Sequence, residues 1–584
     1  MNTPRADLIR CQPDEMPAPG LLLGLSLQIV TLSIAGVILI PTIVMRAGGA
    51  SGSYLVWAVF TTVVICGVAT ILHALRAGRI GSGFLVVMGP TSAFIAVCVD
   101  ALEAGGPPLL ATLVTVSALV PLLLAVQLPL FQRMLTPAVS ATVLMLIPAT
   151  VMPAVFSLLN DVPDDVPGMA APLSAVTVLF VITAVALKAS GGLRLWGPMA
   201  GVVAGTAVAA AFGIYDTGSI IEARWFGYPS NEWVGFNLEF GEAFWSLLPA
   251  FLLVAAIASV RTVSSAIAIQ RVSWRRPRAV DFRAVQGAVT VDGLGNLLAG
   301  FAGTTPNAAT TVGASITELT GVAARSVGVA AGVIFVVFAF LPKFLAVILA
   351  IPGPVVAAYL GILLALIFIV GMKVASQDGI DPRRGLIIGV SFWIGIGFQY
   401  GLIFPAWSAE FGGGFMRNGI TTGGIAAILM TMFLELTKPP RSRIETLFGN
   451  AALPETKPFL EKFIAQNGLD KATAERLESA CEETLLALLN QGGGTGEKPR
   501  YLRLAVYREA MEAVLEFTVA AQDDNIQDWL SLIAENPGPA TDDRQISLRL
   551  LHHVSSSVHH RQFHGTDIVT VRVAASSSRT DPKQ

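Results

Sequence analysis

Apolar stretches of about 20 residues, the length a bilayer demands, recur along this chain from Leu21 to Leu436. That recurrence narrows the possible folds more than any other feature. Backbone inside a bilayer must satisfy its own hydrogen bonds, in helices or closed barrels. Charged residues make up 13% of the 584 positions, against about 25% in soluble domains. The expectation is an all-α polytopic membrane protein. Fourteen segments can be drawn, near 20–45, 54–76, 84–100, 108–130, 136–158, 173–190, 196–214, 245–268, 285–302, 311–321, 326–342, 346–372, 384–404 and 419–436. The first has no small-residue cleavage site behind a short apolar core, so it reads as a retained span.

Lysine and arginine set the orientation. The connectors that follow even-numbered segments carry Arg76, Arg79, Arg133, Lys188, Arg194, the cluster from Arg271 to Arg283, Arg325, Lys373, Arg383 and Arg384. The opposite connectors carry only Arg46, Arg224, Lys343 and Arg417, beside Asp100, Glu103, Asp161, Asp164, Asp165, Glu232 and Glu239. Both termini are therefore expected in the cytoplasm, with the protein in the inner (plasma) membrane. The lipid bilayer is its first partner.

Segments three and ten are too short to cross as full helices. The tenth follows Gly300-Phe301-Ala302-Gly303-Thr304-Thr305-Pro306-Asn307, and Pro306 disfavours helical geometry at Thr305. The third follows Gly81-Ser82-Gly83 and contains Met88-Gly89-Pro90. They occupy matching positions in two blocks of seven. Such paired, interrupted spans point to a transport site at mid-membrane, with helix N-termini aimed at a solute. The plainer reading is two kinked structural helices. Net charge of −2 and the absence of a basic stripe argue against nucleic acid. Cys11, Cys66, Cys98 and Cys481 show no paired spacing, so neither a disulfide framework nor a metal site is expected.

Several motifs in order resemble the xanthine/uracil permeases of the nucleobase–cation symporter-2 (nucleobase–ascorbate) family. They are Arg283-Ala284-Val285-Gln286-Gly287, Asp292-Gly293-Leu294-Gly295-Asn296, Gly303-Thr304-Thr305-Pro306-Asn307, Leu319-Thr320-Gly321 through Arg325, and Ile351-Pro352-Gly353-Pro354. The resemblance covers residues 20–437. It implies a seven-plus-seven inverted repeat with a core of segments 1–4 and 8–11 and a gate of segments 5–7 and 12–14. It further implies short strands before half-helices three and ten, an elevator motion, a proton or sodium as coupling ion, no bound cofactor, and a homodimer through the gate. It is not the pattern of an enzyme.

The positions that match the family's site, read with the ionisable residues left within the spans, give Ser92, Ala93, Phe94, Ala258, Arg261, Thr262, Thr310, Thr311, Val312 and Gly313 as substrate-binding candidates, with Asp292 and Glu318 as coupling candidates. Two departures stand out. Where relatives carry a carboxylate in segment eight, this chain reads Ala258-Ser259-Val260-Arg261-Thr262. The usual polar pattern of segment ten falls on Val312-Gly313-Ala314-Ser315. Ionisable groups in spans are functional candidates by default. Arg261 is either an anion ligand or the ion-pair partner of Asp292 or Glu318. Asp292 either couples transport or ties helices together. Glu318 is a proton carrier or Arg261's partner. Phe94 stacks on substrate or packs in the core.

Residues 1–19 read as a cytoplasmic tail, 438–454 as a linker, 455–574 as a cytoplasmic α/β domain, and 575–584 as disordered. An amphipathic helix is expected over 472–489, a loop over 491–497, and strands over 500–505, 513–519 and 568–573. The domain weakly resembles the ATP-binding domain of anti-sigma-factor and histidine kinases. Glu482 and Glu483 lack the asparagine four residues on, and Asp523-Asp524-Asn525 lacks the glycines of a nucleotide loop. The resemblance therefore implies a degenerate, regulatory form that engages a cytoplasmic regulator. His552, His553, His559, His560 and His564 read as a surface cluster, with metal binding or pH sensing as the alternative.

The expected activity is secondary-active transport of a nucleobase of the xanthine/uracil type. The alternatives are an anion transporter built on Arg261, of the carboxylate or sulfate kind, and a transporter-like sensor that signals through its tail.

Overall fold

A computed structural model describes residues 9–574 apart from 129–135, 164–165, 190–192, 194–195, 216, 231, 234, 277, 377–381, 407–415, 417, 437–441, 450–451, 490–500, 510–511, 521–524, 536–542 and 565. It divides into two compact units. One comprises 1–275 and 284–436, the other 276–283 and 437–584.

The first unit is helical. Its elements are α1 (Pro19–Ala47), α2 (Gly52–Leu75), β1 (Val87–Pro90), α3 (Ile95–Ser117), α4 (Leu119–Val126), α5 (Pro137–Ser157), α6 (Ala170–Lys188), α7 (Gly197–Ala211), α8 (Gly218–Glu222), α9 (Glu242–Val272), α10 (Phe282–Ala302), β2 (Asn307–Thr310), α11 (Val312–Thr320), α12 (Arg325–Ala339), α13 (Pro342–Leu349), α14 (Gly353–Ser376), α15 (Pro382–Gln399) and α16 (Gly419–Leu436). Each expected segment holds a helix or half-helix. Among the described residues, seven helices are long and apolar enough to span, or eight counting the pair α12–α13, bent by 83°. The rest fall short for local reasons. The interior of α10 carries Gln286, Asp292 and Asn296, α15 opens on Arg383 and Arg384, and α7 is 15 residues long.

Punctuation in the sequence becomes geometry. Ser51 caps α2 by accepting from the Tyr54 amide, and Pro137 begins α5, where its missing N–H costs nothing. The helix α3 breaks at Gly106, with φ 67°, just before Pro107 and Pro108. Bare glycine lets helices meet closely: a Cβ on Gly67 of α2 would lie 2.7 Å from the Gly332 carbonyl of α12. Behind the first span, the Arg275 guanidinium grips both Glu15 oxygens, at 2.6 and 2.7 Å, and holds that carboxyl below its usual pKa. Arg10, Cys11 and Pro13 bond to the backbone around Gly321 to Arg325.

Each of the two interrupted spans contributes one short strand. β1 and β2 pair antiparallel in the register Val87↔Thr310, Met88↔Ala309, Gly89↔Ala308 and Pro90↔Asn307. Backbone freed from helix at that depth is thereby satisfied by its counterpart.

The second unit contains β3 (Ser442–Leu447), α17 (Ala452–Asn467), α18 (Lys471–Leu489), β4 (Tyr501–Glu509), β5 (Glu512–Val519), α19 (Ile526–Glu535), α20 (Asp543–Val554), β6 (Ser557–Phe563) and β7 (Thr566–Ala574). The antiparallel sheet runs β3-β4-β5-β7-β6. Leu477, Leu485, Leu504, Phe517, Leu551 and Val571 fill its core. The stretch read as a linker supplies β3, whose six residues pair with β4, because every other residue of that strand turns inward. The expected loop at 491–497 and tail at 575–584 lie outside the described residues.

The histidines divide. His552, His553 and His559 are exposed, whereas His560 is fully buried. Its Nδ1 accepts from the Ile526 amide at 3.0 Å, so Nε2 carries the proton toward Asp567, 3.1 Å away. Asn525, from the supposed nucleotide loop, donates to the His560 carbonyl and to Gln562. This part of the cluster is interior, and no described group of His, Cys, Asp and Glu residues could hold a metal. His560→Ala would strand a buried amide and a buried carboxylate. It should cost the tail about 2–6 kcal/mol at roughly 1–3 for each unpaired group, read as lower-temperature protease cleavage after residue 440.

Candidate functional site

The paired strands organise the candidate site. Because they are antiparallel, the turn beginning at Ser92 and the helix beginning at Val312 leave from opposite ends of a four-residue ladder, roughly 13 Å apart along the strands. Thr91 caps the first by accepting from the Ala93 amide, while its own amide donates to the Pro306 carbonyl. Thr311 stands at the N-cap of α11 and gives it no side-chain cap. The first amides of that helix lack an acceptor within the helix.

Three layers of polar side chains back the strands. From α9, Thr262 is fully buried, accepts from the Ala309 amide at 3.2 Å, and donates to Asp292 Oδ2. From α10, Asn296 accepts from the Asn307 amide at 2.6 Å. From α2, Thr70 receives the Met88 amide at 3.0 Å, and Thr62 bonds Thr304 at 2.6 Å. This relay fixes β2 between α2, α9 and α10. Some polar atoms are nonetheless left over: Asp292 Oδ1, Thr305 Oγ1 and Asn307 Nδ2 are buried without a partner. Leaving such groups unpaired costs about 1–3 kcal/mol each, a cost usually tolerated where function requires it.

Arg261 precedes Thr262 on α9. The residue is exposed at the surface of the helix, and Asp292 lies within electrostatic reach. Among the described residues it forms no ion pair. Glu318 is exposed on α11, so the Arg261–Glu318 pair considered from sequence is not made. A guanidinium free of a carboxylate keeps its fork of donors for a planar oxyanion.

The remaining sequence candidates fall into two groups. Ala258, Thr262 and Gly313 are buried, Val312 and Thr310 half-buried, and Thr311 exposed. Thr310 spends its hydroxyl on the Val87 carbonyl at 2.9 Å. Ser92 and Ala93 are buried at the turn. Phe94 is 1% exposed and packs on Phe251 of α9, ring centres 5.9 Å apart. Its ring is packed in the core in this structure. Sequence reasoning missed Thr62, Thr70 and Asn296 as members of the relay. Their signal is a hydroxyl or amide at one-turn spacing inside apolar helices.

The xanthine/uracil permease model, described as Permease family, matches residues 21–403. A uric acid permease of Bacillus subtilis is 26% identical over 436 residues, covering 73% of this chain and 98% of its own. A xanthine permease of Escherichia coli is 25% identical over 448 residues, covering 74% and 95%. The transmembrane domain of a cyanobacterial bicarbonate transporter superposes with a TM-score of 0.46 at 12% identity, over 72% of this chain and 99% of its own.

Proposed function

This chain belongs to the permease family, a family of transporters rather than enzymes, and from that premise we propose that it carries an oxygenated purine, taken as its monoanion, across the membrane. Relatives named for xanthine and uric acid support the substrate class. The observation that carries the ionic form is Arg261, exposed and without an ion pair among the described residues, beside the buried Asp292. Uric acid is a monoanion at neutral pH, and its flat rim of oxygens and ring nitrogens matches a guanidinium fork. Amides at the start of α11 would take the neighbouring oxygens. In this reading the nucleobase and anion alternatives meet in one solute.

The finer features belong to the same proposal. Fourteen spans in two inverted blocks would place β1 and β2 at the crossing. Asp292 would carry the coupling proton, and the core would slide against a dimeric gate. The termini would face the cytoplasm, with the second unit answering to a regulator there.

Thermal unfolding of the purified protein tests the substrate and the role of Arg261 together. A ligand present at a hundred times its Kd should add about 2.7 kcal/mol to stability. Urate and xanthine are expected to raise the melting temperature, and Arg261→Ala to lose the response to urate while melting normally without ligand. A response to neutral uracil alone, indifferent to Arg261→Ala, would sink the anionic reading.

A further inference from the structure

Away from the strand crossing, a cavity of about 1000 Å³ opens where the ends of α1 and α12, the start of α14, and the chain following α8 come together. Its charged lining is Arg46, Asp161 and Arg224. Arg46 is committed to structure: its two terminal nitrogens donate to the Leu349 carbonyl at 2.7 Å and the Ile351 carbonyl at 3.3 Å. Asp161 lies within electrostatic reach of it. Arg224 has no side-chain hydrogen bond or ion pair among the described residues, yet its backbone is pinned. Its carbonyl accepts from the Lys343 amide at 3.0 Å, and Gly227 donates to the Phe340 carbonyl at 3.2 Å. Lys343 in turn sits 5.0 Å above the Trp225 ring. A free guanidinium on a fixed loop is thus presented to a space whose other walls include Leu55, Phe60, Leu345 and Tyr228.

Among the described residues, two guanidiniums against one carboxylate leave one positive charge to be matched. The walls leave apolar surface to be covered, in a volume at the upper end of small-molecule sites. We propose that this cavity is a second binding site, for an amphiphilic monoanion whose oxyanion head pairs with Arg224 and whose flat or apolar body covers the walls. Such a molecule has two sources. One is a dissolved aromatic anion such as urate, and the other is the phosphodiester headgroup of an anionic lipid. The site does not rest on the transport reading.

Two binding measurements on the purified full-length protein separate the sources: equilibrium dialysis with radiolabelled urate, and native mass spectrometry with phosphatidylglycerol against phosphatidylcholine. One of the two anions is expected to bind saturably. Arg224→Glu should weaken that binding roughly tenfold or more, the scale of a lost charge-assisted bond, and Asp161→Asn should tighten it. Arg261→Ala should leave it unchanged, which separates it from the crossing site. Both substituted side chains are exposed, so unchanged melting temperatures are expected. Urate retention identifies a solute site and phosphatidylglycerol retention a lipid site. Binding of neither, equal binding of phosphatidylcholine, or indifference to Arg224→Glu overturns the proposal.

Discussion

Asp292→Asn is expected to reduce accumulation of substrate to simple equilibration, if Asp292 carries the proposed coupling proton, while the protein folds and melts as before. The amide oxygen can still accept from Thr262, so the relay from the Ala309 amide through Thr262 survives. What disappears is the second carboxylate oxygen, which is buried with no partner. In the proposed reading this orphan oxygen is where the coupling proton or cation would sit, since buried polar atoms ordinarily have a hydrogen-bond partner. The informative comparison sets accumulation beside exchange of labelled for unlabelled substrate across proteoliposomes. Loss of accumulation with exchange intact assigns Asp292 to coupling. Normal accumulation in the variant would make it a helix tie. Asp292→Ala should also lower the melting temperature, since it strips Thr262 of its acceptor.

Gly313→Ala should be among the most damaging single-methyl changes in the first unit. A Cβ there would lie 2.0 Å from the Leu85 carbonyl oxygen, and backbone cannot swing aside as a side chain does. Overpacking of this kind costs about 1–3 kcal/mol, occasionally more, and it falls between α11 and the approach to β1. Uptake and folded yield should both collapse. Gly295→Ala is the control, because its Cβ would meet Met88 at 3.5 Å, ordinary contact. Equal uptake by the two variants would show that the approach of α11 to β1 is not tight in the working protein.

Much of this architecture was legible because a bilayer reduces the problem to lengths and breaks. Pro306 and the glycines around it marked the break in segment ten, and the family resemblance implied the strands β1 and β2 before the two half-helices. Their register was not legible, since nothing local sets Val87 opposite Thr310. Arg261, Thr262 and Asp292 were named from the sequence, but the bond from Thr262 to Asp292 depends on how α9 and α10 pack. Glu318 was a reasonable partner for Arg261 on charge alone, yet α11 turns it outward. For Phe94, stacking and core packing were both open, and its burial against Phe251, outside every motif, could not be read from the sequence. In the tail, β3 was lost to the dipeptide Pro439-Pro440 before it, which reads as the end of structure. His560 was grouped with surface histidines because sequence spacing cannot show which strand face turns inward.

The strand crossing also has a consequence for how the chain is made. Val87 and Thr310 are 223 residues apart, which at about 5–20 residues per second is on the order of 10–45 seconds of synthesis. Through that interval the amides and carbonyls of Val87–Pro90 have no ladder, and hydrocarbon offers them none. The third segment must therefore wait, in the insertion machinery or at the membrane surface, until its counterpart is translated. Truncations that end before Asn307 should leave that segment accessible to water-borne thiol reagents at an introduced cysteine, and chains extended past Thr320 should protect it. The half of the crossing made first is a liability to the nascent chain until the second half arrives.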